Sequence, residues 1–206
     1  MNPLLDIDTR LLPTGLVIPS TPGGYVDQPQ MVVNDDGSWT CVITTGAGHE
    51  GEGGQHIASA LTHDRGQTWS SLVPIEPSTG PEASWAQLLR VPRTGRLYVF
   101  YTYNKLNQRE VKTIDGGAFT RVDSLGSYAY RYSDDCGRSW SEQRYEIPMR
   151  QFKCDQDNAY QGKVMMFWGV AKPLIHRDEV ILPATKIGAM GDVFFAHNQG
   201  VTFHSS

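Results

Sequence analysis

The sequence predicts an all-β fold, and three observations carry that reading. Glycine (21) and proline (12) recur throughout the 206 residues, and both are costly inside helices. The apolar segments are short, rich in Val, Ile, Tyr, Phe, Trp and Thr, and bounded by turn signals such as Asp36-Gly37, Thr94-Gly95 and Arg177-Asp178. A short motif also returns at a long interval, the mark of a repeat architecture. With 39% hydrophobic and 19% charged residues, the chain has enough apolar surface to exclude general disorder. Lys and Arg (18) are outnumbered by Asp and Glu (22), so a basic nucleic-acid footprint is excluded. No run of eighteen apolar residues is present, and no helical membrane span is expected.

The repeated motif is Thr62-His63-Asp64-Arg65-Gly66-Gln67-Thr68-Trp69, matched by Ser133-Asp134-Asp135-Cys136-Gly137-Arg138-Ser139-Trp140. A third, degenerate copy reads Ala196-His197-Asn198-Gln199-Gly200-Val201-Thr202-Phe203, so the copies start 71 and 63 residues apart. A hydroxyl and an Asp can bond the backbone of a tight turn. Glycine permits a positive φ there, and a terminal Trp can plug the space beneath. Each copy is therefore expected to be a hairpin loop. Thr62, Asp64, Gly66, Trp69, Ser133, Asp135, Gly137 and Trp140 are read as structural rather than catalytic.

The elements around each copy repeat as well. Blade 1 (about 24–77) predicts strands over 26–33, 38–45, 56–62 and 70–76. Blade 2 (about 82–150) predicts strands over 83–91, 96–104, 127–133 and 144–148, with a long solvated loop at 105–126. Blade 3 (about 160–206) predicts strands over 164–175, 179–186 and 192–197, then the third hairpin, with no final strand. Four-stranded antiparallel units at this period are propeller blades, so the fold class is all-β, a partial β-propeller. Open blade edges make self-association a possible partner interaction.

The hydroxyl-x-Asp-x-Gly-x-hydroxyl-Trp element resembles the Asp-box, or BNR repeat. Two good copies at blade spacing are similar to the sialidase (neuraminidase) superfamily over about residues 20–206. The resemblance implies a six-bladed propeller of which this chain looks like an N-terminal half. It also implies a glycoside hydrolase acting on terminal sugars of glycans, with a carbohydrate ligand and no cofactor. In the superfamily a Tyr-Arg-Ile-Pro motif supplies an arginine that grips a substrate carboxylate. Here Gly24-Tyr25-Val26-Asp27-Gln28-Pro29 occupies that place and puts Asp27 on the arginine. The resemblance therefore implies a sialidase-like enzyme that departs from a standard sialidase. The superfamily's tyrosine nucleophile is expected outside these blades.

The glycine-rich loop 46–56 follows the second strand of blade 1, where the resemblance places an acid/base carboxylate. Glu52 and Glu50 are the candidates, with Asp27 as a further catalytic group. His49 and His56 flank them. Gln28, His49, His56, Glu82, Trp85, Lys163 and Lys186 are the expected sugar contacts. Glu82 and Trp85 stand near the start of the innermost strand of blade 2, Lys163 precedes that of blade 3, and Lys186 ends its second strand. The segment 80–85 is expected to be equivalent to the Asp27 position. No His/Cys spacing demands a metal. The rival readings are a non-catalytic glycan-binding or scaffold propeller and an inactive fragment. Residues 1–15 show no basic start, apolar run or cleavage site, and Cys41, Cys136 and Cys154 form no CxxC pair. Both favour a cytoplasmic location.

Overall fold

The computed structural model describes residues 24–191 and 195–205. The N-terminal stretch read for targeting, and residues 192–194 of the predicted third strand of blade 3, lie outside the described residues. Blade 1 is a four-stranded antiparallel sheet of β1 (Tyr25–Val33), β2 (Trp39–Gly46), β3 (His56–Thr62) and β4 (Val73–Pro74), in that spatial order. Blade 2 places β5 (Ala83–Arg90), β6 (Leu97–Tyr103), β9 (Ser127–Ser133) and β10 (Tyr145–Ile147) in the same way. A small hairpin of β7 (Val111–Lys112) and β8 (Ala118–Phe119) stands in its long connection. The fourth strands are shorter than the sequence predicts.

Period-2 alternation gives every blade two apolar faces. Cys41, Ile43 and Ala58 turn to one side of blade 1, under Trp69 and Leu72. Val42 and Ile57 turn to the other and pack against Leu88, Leu97, Val99, Tyr101 and Ala129 of blade 2. Leu89, Phe100 and Tyr128, on the far face of blade 2, pack against Phe167 and Leu182 of the third sheet. Each such aliphatic or aromatic side chain contributes about 1.5–3 kcal/mol on burial, so the seams between blades form most of the core. Buried Glu76 pins the first seam from the side. Its carboxylate accepts from Arg131 Nε at 2.9 Å, Arg144 Nε at 2.8 Å and Arg144 Nη2 at 2.6 Å, and from the Tyr101 hydroxyl. Burial alone would raise the carboxyl's pKa; the bonds from Arg144, Tyr101 and Arg131 outweigh it and hold the group below its ordinary value.

The first two boxes form the expected hairpin loops. Asp64 Oδ1 accepts from Thr62 Oγ1 at 2.7 Å and Thr68 N at 2.8 Å, while Gly66 N donates to Thr62 Oγ1 at 2.9 Å. Ser133, Asp135, Gly137 and Ser139 repeat that pattern. The second box also docks on blade 1. Thr40 Oγ1 donates to Cys136 O at 2.7 Å, and Trp140 Nε1 donates to Ser59 Oγ at 3.0 Å. The register counterparts of Thr40 and Ser59 in blade 2 are Tyr98 and Tyr130. With Phe100, Ile147, Val180, Leu182 and Phe203 they line an apolar groove of about 340 Å³ in the second seam.

Blade 3 departs from the prediction in two ways. Its inner strand is split into β11 (Phe167–Trp168) and β12 (Leu174–His176), both paired with β13 (Glu179–Lys186). Gly169 and Pro173 interrupt it, and Gln87 Nε2 reaches into the break to donate to Ala171 O, and to Pro183 O at 3.2 Å. The second departure is that the third copy of the motif is not a hairpin loop. Ala189–Met190 (β14) pairs with Phe195–Ala196 (β15), and Gln199–His204 (β16) is itself the third strand, antiparallel to β13. His56 opposite Thr45, Ser127 opposite Tyr103 and Gln199 opposite Lys186 mark one register in three blades. Counting along from each, Thr62, Ser133 and Ser205 fall at the same place, with Ser205 N donating to Val180 O at 3.0 Å. The register-equivalent positions 62, 133 and 205 are thus 71 and 72 residues apart. A five-residue helix, α1 (Lys153–Asp157), was not expected from the sequence. Among the described residues no helix is long and apolar enough to cross a membrane.

Two stability measurements check this architecture. Gly137 sits at φ +82°, and a Cβ there would lie 2.7 Å from Thr40 Cγ2, whereas Gly200 has open space around it. Gly137→Ala is expected to cost more than about 1 kcal/mol in urea unfolding, and Gly200→Ala to stay within about 0.5 kcal/mol of the parent. An equal loss at both would restore the third hairpin. Glu76→Ala leaves two guanidinium groups without their buried partner and should cost about 3–5 kcal/mol in the same assay.

Candidate functional site

The innermost strands of blades 1 and 2 carry the same irregularity. Asp27 is opposite Thr44 and Gln30 opposite Val42, so two residues of β1 face one of β2. Ser84 opposite Thr102 and Gln87 opposite Phe100 repeat the bulge in β5. The first bulged residues are Gln28 at φ +52° and Trp85 at φ +66°, a left-handed conformation that non-glycine residues seldom adopt. Bulges of this kind bend a strand and re-aim its side chains. Gln30 Oε1 then accepts from Leu88 N of the next blade at 2.9 Å, as Gln87 reaches into the third. Within segment 80–85 the register makes Ser84 the counterpart of Asp27, and Trp168 stands at the same place in blade 3, opposite Thr185.

At the bulges, Tyr25, Asp27, Thr44, Gln55, Ser84, Trp85 and Asp123 line a crevice too narrow to admit a water molecule. Half-buried Asp27 accepts from the Tyr25 hydroxyl and from Gln28 N, both at 2.7 Å. Trp85 N donates to Thr44 Oγ1 at 3.1 Å, and Ser84 Oγ donates to Gln55 Oε1 at 3.1 Å. Trp85 is only 5% exposed and meets Trp168 edge-on at 5.3 Å. It is a wall of the crevice rather than an open platform. Its indole Nε1 has no hydrogen-bond partner, and neither does Gln28 Oε1.

Two loops close over this crevice. Glu50, in the glycine-rich loop, pairs with Arg121, whose Nε and Nη2 also donate to the two oxygens of Asp123 at 3.1 Å. Val122 N donates to Gly51 O at 3.0 Å, so the loops are joined by backbone as well. The Arg121 guanidinium lies 5.9 Å from the Trp85 ring and 5.1 Å from that of Phe195. Segment 105–126 is exposed over much of its length, as expected of a solvated loop, but a few buried residues anchor it. Val111, Val122 and Leu125 are buried in it against Tyr160, Met166, Ile187 and Met190. Burial is the main influence on Asp123 and pushes its carboxyl up to about 6; Arg121 opposes this and the Glu50 charge adds to it. Tyr25 is held far above its ordinary value by burial, by its bond to Asp27 and by the charges of Asp27, Glu50 and Asp123.

The structure thus brings Asp27, Gln28, Glu50 and Trp85 together. Glu52 stays within its own exposed loop, accepting from His49 N at 3.1 Å. His49 O accepts from Gln55 Nε2 at 3.0 Å, and the His56 ring nitrogen Nδ1 lies 3.3 Å from Gly54 O. Glu82 was expected to touch sugar but is 2% exposed, engaged by Arg109, Asn104 Nδ2 at 2.9 Å and Gly54 N at 3.0 Å. Burial opposes its ionisation, and those bonds outweigh the burial and lower its pKa. Lys186 was expected at the rim but is fully buried, 2.8 Å from Asp155 of α1. Exposed Lys163 lies in the turn before β11 and is not a lining residue of the crevice. Sequence reasoning missed Tyr25, Thr44, Gln55, Ser84, Arg121 and Asp123. Among the described residues no group of three or more His, Cys, Asp or Glu gathers as a metal site.

Asp123 provides a pH test of this geometry. A folded-state pKa near 6, raised from an ordinary 3.8, gives stability that is full at low pH and lost as pH rises through about 6. Relative to Asp123→Asn, the parent should lose about 3 kcal/mol of unfolding free energy between about pH 4 and pH 7. Urea titrations of both proteins at several pH values check this; parallel pH profiles would mean that Asp123 is not held in a desolvated pocket.

No protein-family model and no curated protein sequence matches the chain. Solved structures do match it. The Hadza microbial sialidase Hz136 superposes with a TM-score of 0.58 at 14% identity, over 87% of this chain and 35% of that one. A Dyadobacter fermentans protein of unknown function gives 0.64 at 12% identity, over 92% and 53%. The leech intramolecular trans-sialidase gives 0.57 at 11% identity, over 94% and 46%. The chain spans about a third to a half of these relatives' length. At such identities the likeness establishes the fold alone, which together with the blades and seams is that of a partial β-propeller.

Proposed function

We propose that the protein binds glycans across the rim of this crevice and hydrolyses a terminal sugar, as a sialidase-like glycoside hydrolase. The observation that carries the reading is the placing of two partly accessible carboxylates on one rim: Asp27, bonded to the Tyr25 hydroxyl, and Glu50, bonded to the same Arg121 that grips crevice-lining Asp123. Most glycoside hydrolases set two carboxylates across the scissile bond, and sialidases replace one of them with a tyrosine. Their positions come from a strand bulge and a glycine-rich loop, while Arg121 and Asp123 anchor the loop side. The matched solved structures include a sialidase and an intramolecular trans-sialidase, which supports a carbohydrate ligand. In this reading Asp27 faces the sugar with the Tyr25 hydroxyl and Gln28 beside it. Glu50, 44% exposed at its side chain, is the group able to exchange Arg121 for a leaving-group oxygen.

A second reading, a non-catalytic glycan-binding propeller, is favoured by one observation. Glu50 is already paired with Arg121, as a purely structural residue would be. A panel of aryl glycosides and oligosaccharides, assayed for product release and for binding, separates the two. Hydrolysis requires that Asp27→Asn and Glu50→Gln each lower turnover by about 10²-fold or more with the fold retained. Binding by the parent without product would establish the second reading, and unchanged turnover in both variants would remove this rim from the active site.

A further inference from the structure

We infer that the sugar taken at this rim carries no carboxylate: the site selects neutral or amino sugars and rejects sialic and uronic acids. The inference rests on the glycan reading above and adds the substrate class. Three carboxylates meet at this rim: Asp27 is bonded to the Tyr25 hydroxyl, Asp123 lines the same crevice, and the cation among them, Arg121, is already bonded to Glu50 and to both oxygens of Asp123. Arg109, on the same long connection, is likewise committed to buried Glu82. An incoming carboxylate would have to displace Glu50 from Arg121 and would remain beside Asp27. That like-charge approach is repulsive at any local dielectric, and such repulsion is a common source of specificity.

Hydrogen-bond complementarity points the same way. Asp27, half-buried and bonded to the Tyr25 hydroxyl, is the acceptor at this rim, while the unpartnered Gln28 Oε1 and Trp85 Nε1 are themselves buried. A sugar hydroxyl both donates and accepts, whereas an ionised carboxylate only accepts. The strained backbone at Gln28 and Trp85 is the kind of conformation that persists at ligand sites.

The test measures the parent protein on a glycan array built from matched pairs: neutral-terminated and amino-sugar glycans, each beside the same glycan capped with a sialic or uronic acid. The expected result is at least tenfold weaker binding of every acid-capped member, with a gap that narrows as salt rises. Asp27→Arg should reduce or reverse the gap. Equal or tighter binding of acid-capped glycans overturns the inference while leaving the glycan reading intact. Binding of no glycan on the array fails that reading, and the inference falls with it.

Discussion

The structure depends on the fact that each blade is apolar on both faces and can bury the second only against its neighbour. Val42 and Ile57 have no core of their own; they have one when β5, β6 and β9 stand beside them. That requirement explains why polar groups of unusual reach cross the seams. Gln30 bonds Leu88 N, Gln87 bonds two carbonyls of blade 3, Trp140 bonds Ser59, and Glu76 gathers Tyr101, Arg131 and Arg144. Apolar burial is non-directional and would tolerate sliding of one sheet over another. The hydrogen bonds fix the blades in one relative position, so that the rim loops of separate blades can meet.

The paired bulges follow from the same requirement. A regular strand at β1 would keep Gln30 in the pleat of its own sheet. The extra residue turns the chain, lets Gln30 reach Leu88, and leaves Gln28 in a left-handed conformation. At β5 the same shift sends Gln87 onward and buries Trp85 behind the crevice. The backbone strain that joins the blades is also what places Asp27 at the rim. Seam geometry and site geometry are therefore not separable at these residues.

Much of the fold is legible in the sequence because its determinants are local. In the first two boxes every defining bond spans two or four residues, so the motif carries its own structure. The third copy misleads because a glycine, a hydroxyl and an aromatic also suit an exposed strand. Only pairing with β13 shows that 199–204 is that strand and that Ser205 holds the box register. The site was less legible for the converse reason. Arg121 meets Glu50 across 71 residues, and Lys186 disappears into the core because α1, a helix with no periodic signal, brings Asp155 to it. Glu82 looks like a site carboxylate in one dimension and becomes a structural one when Arg109 folds over it.

Arg121 explains how a rim built from loops can be held in one arrangement. Loops with several glycines lose much entropy when ordered, and a carboxylate on such a loop would be poorly placed for chemistry. Here Glu50 is tied to a guanidinium that is itself gripped by buried Asp123 and lies beside two aromatic rings. Backbone pairing of Gly51 with Val122 adds a second tether. Holding Asp123 in a desolvated place opposes its ionisation, yet it gives Arg121 a fixed seat from which to orient Glu50. The ordering of the rim is thus carried by groups beneath it.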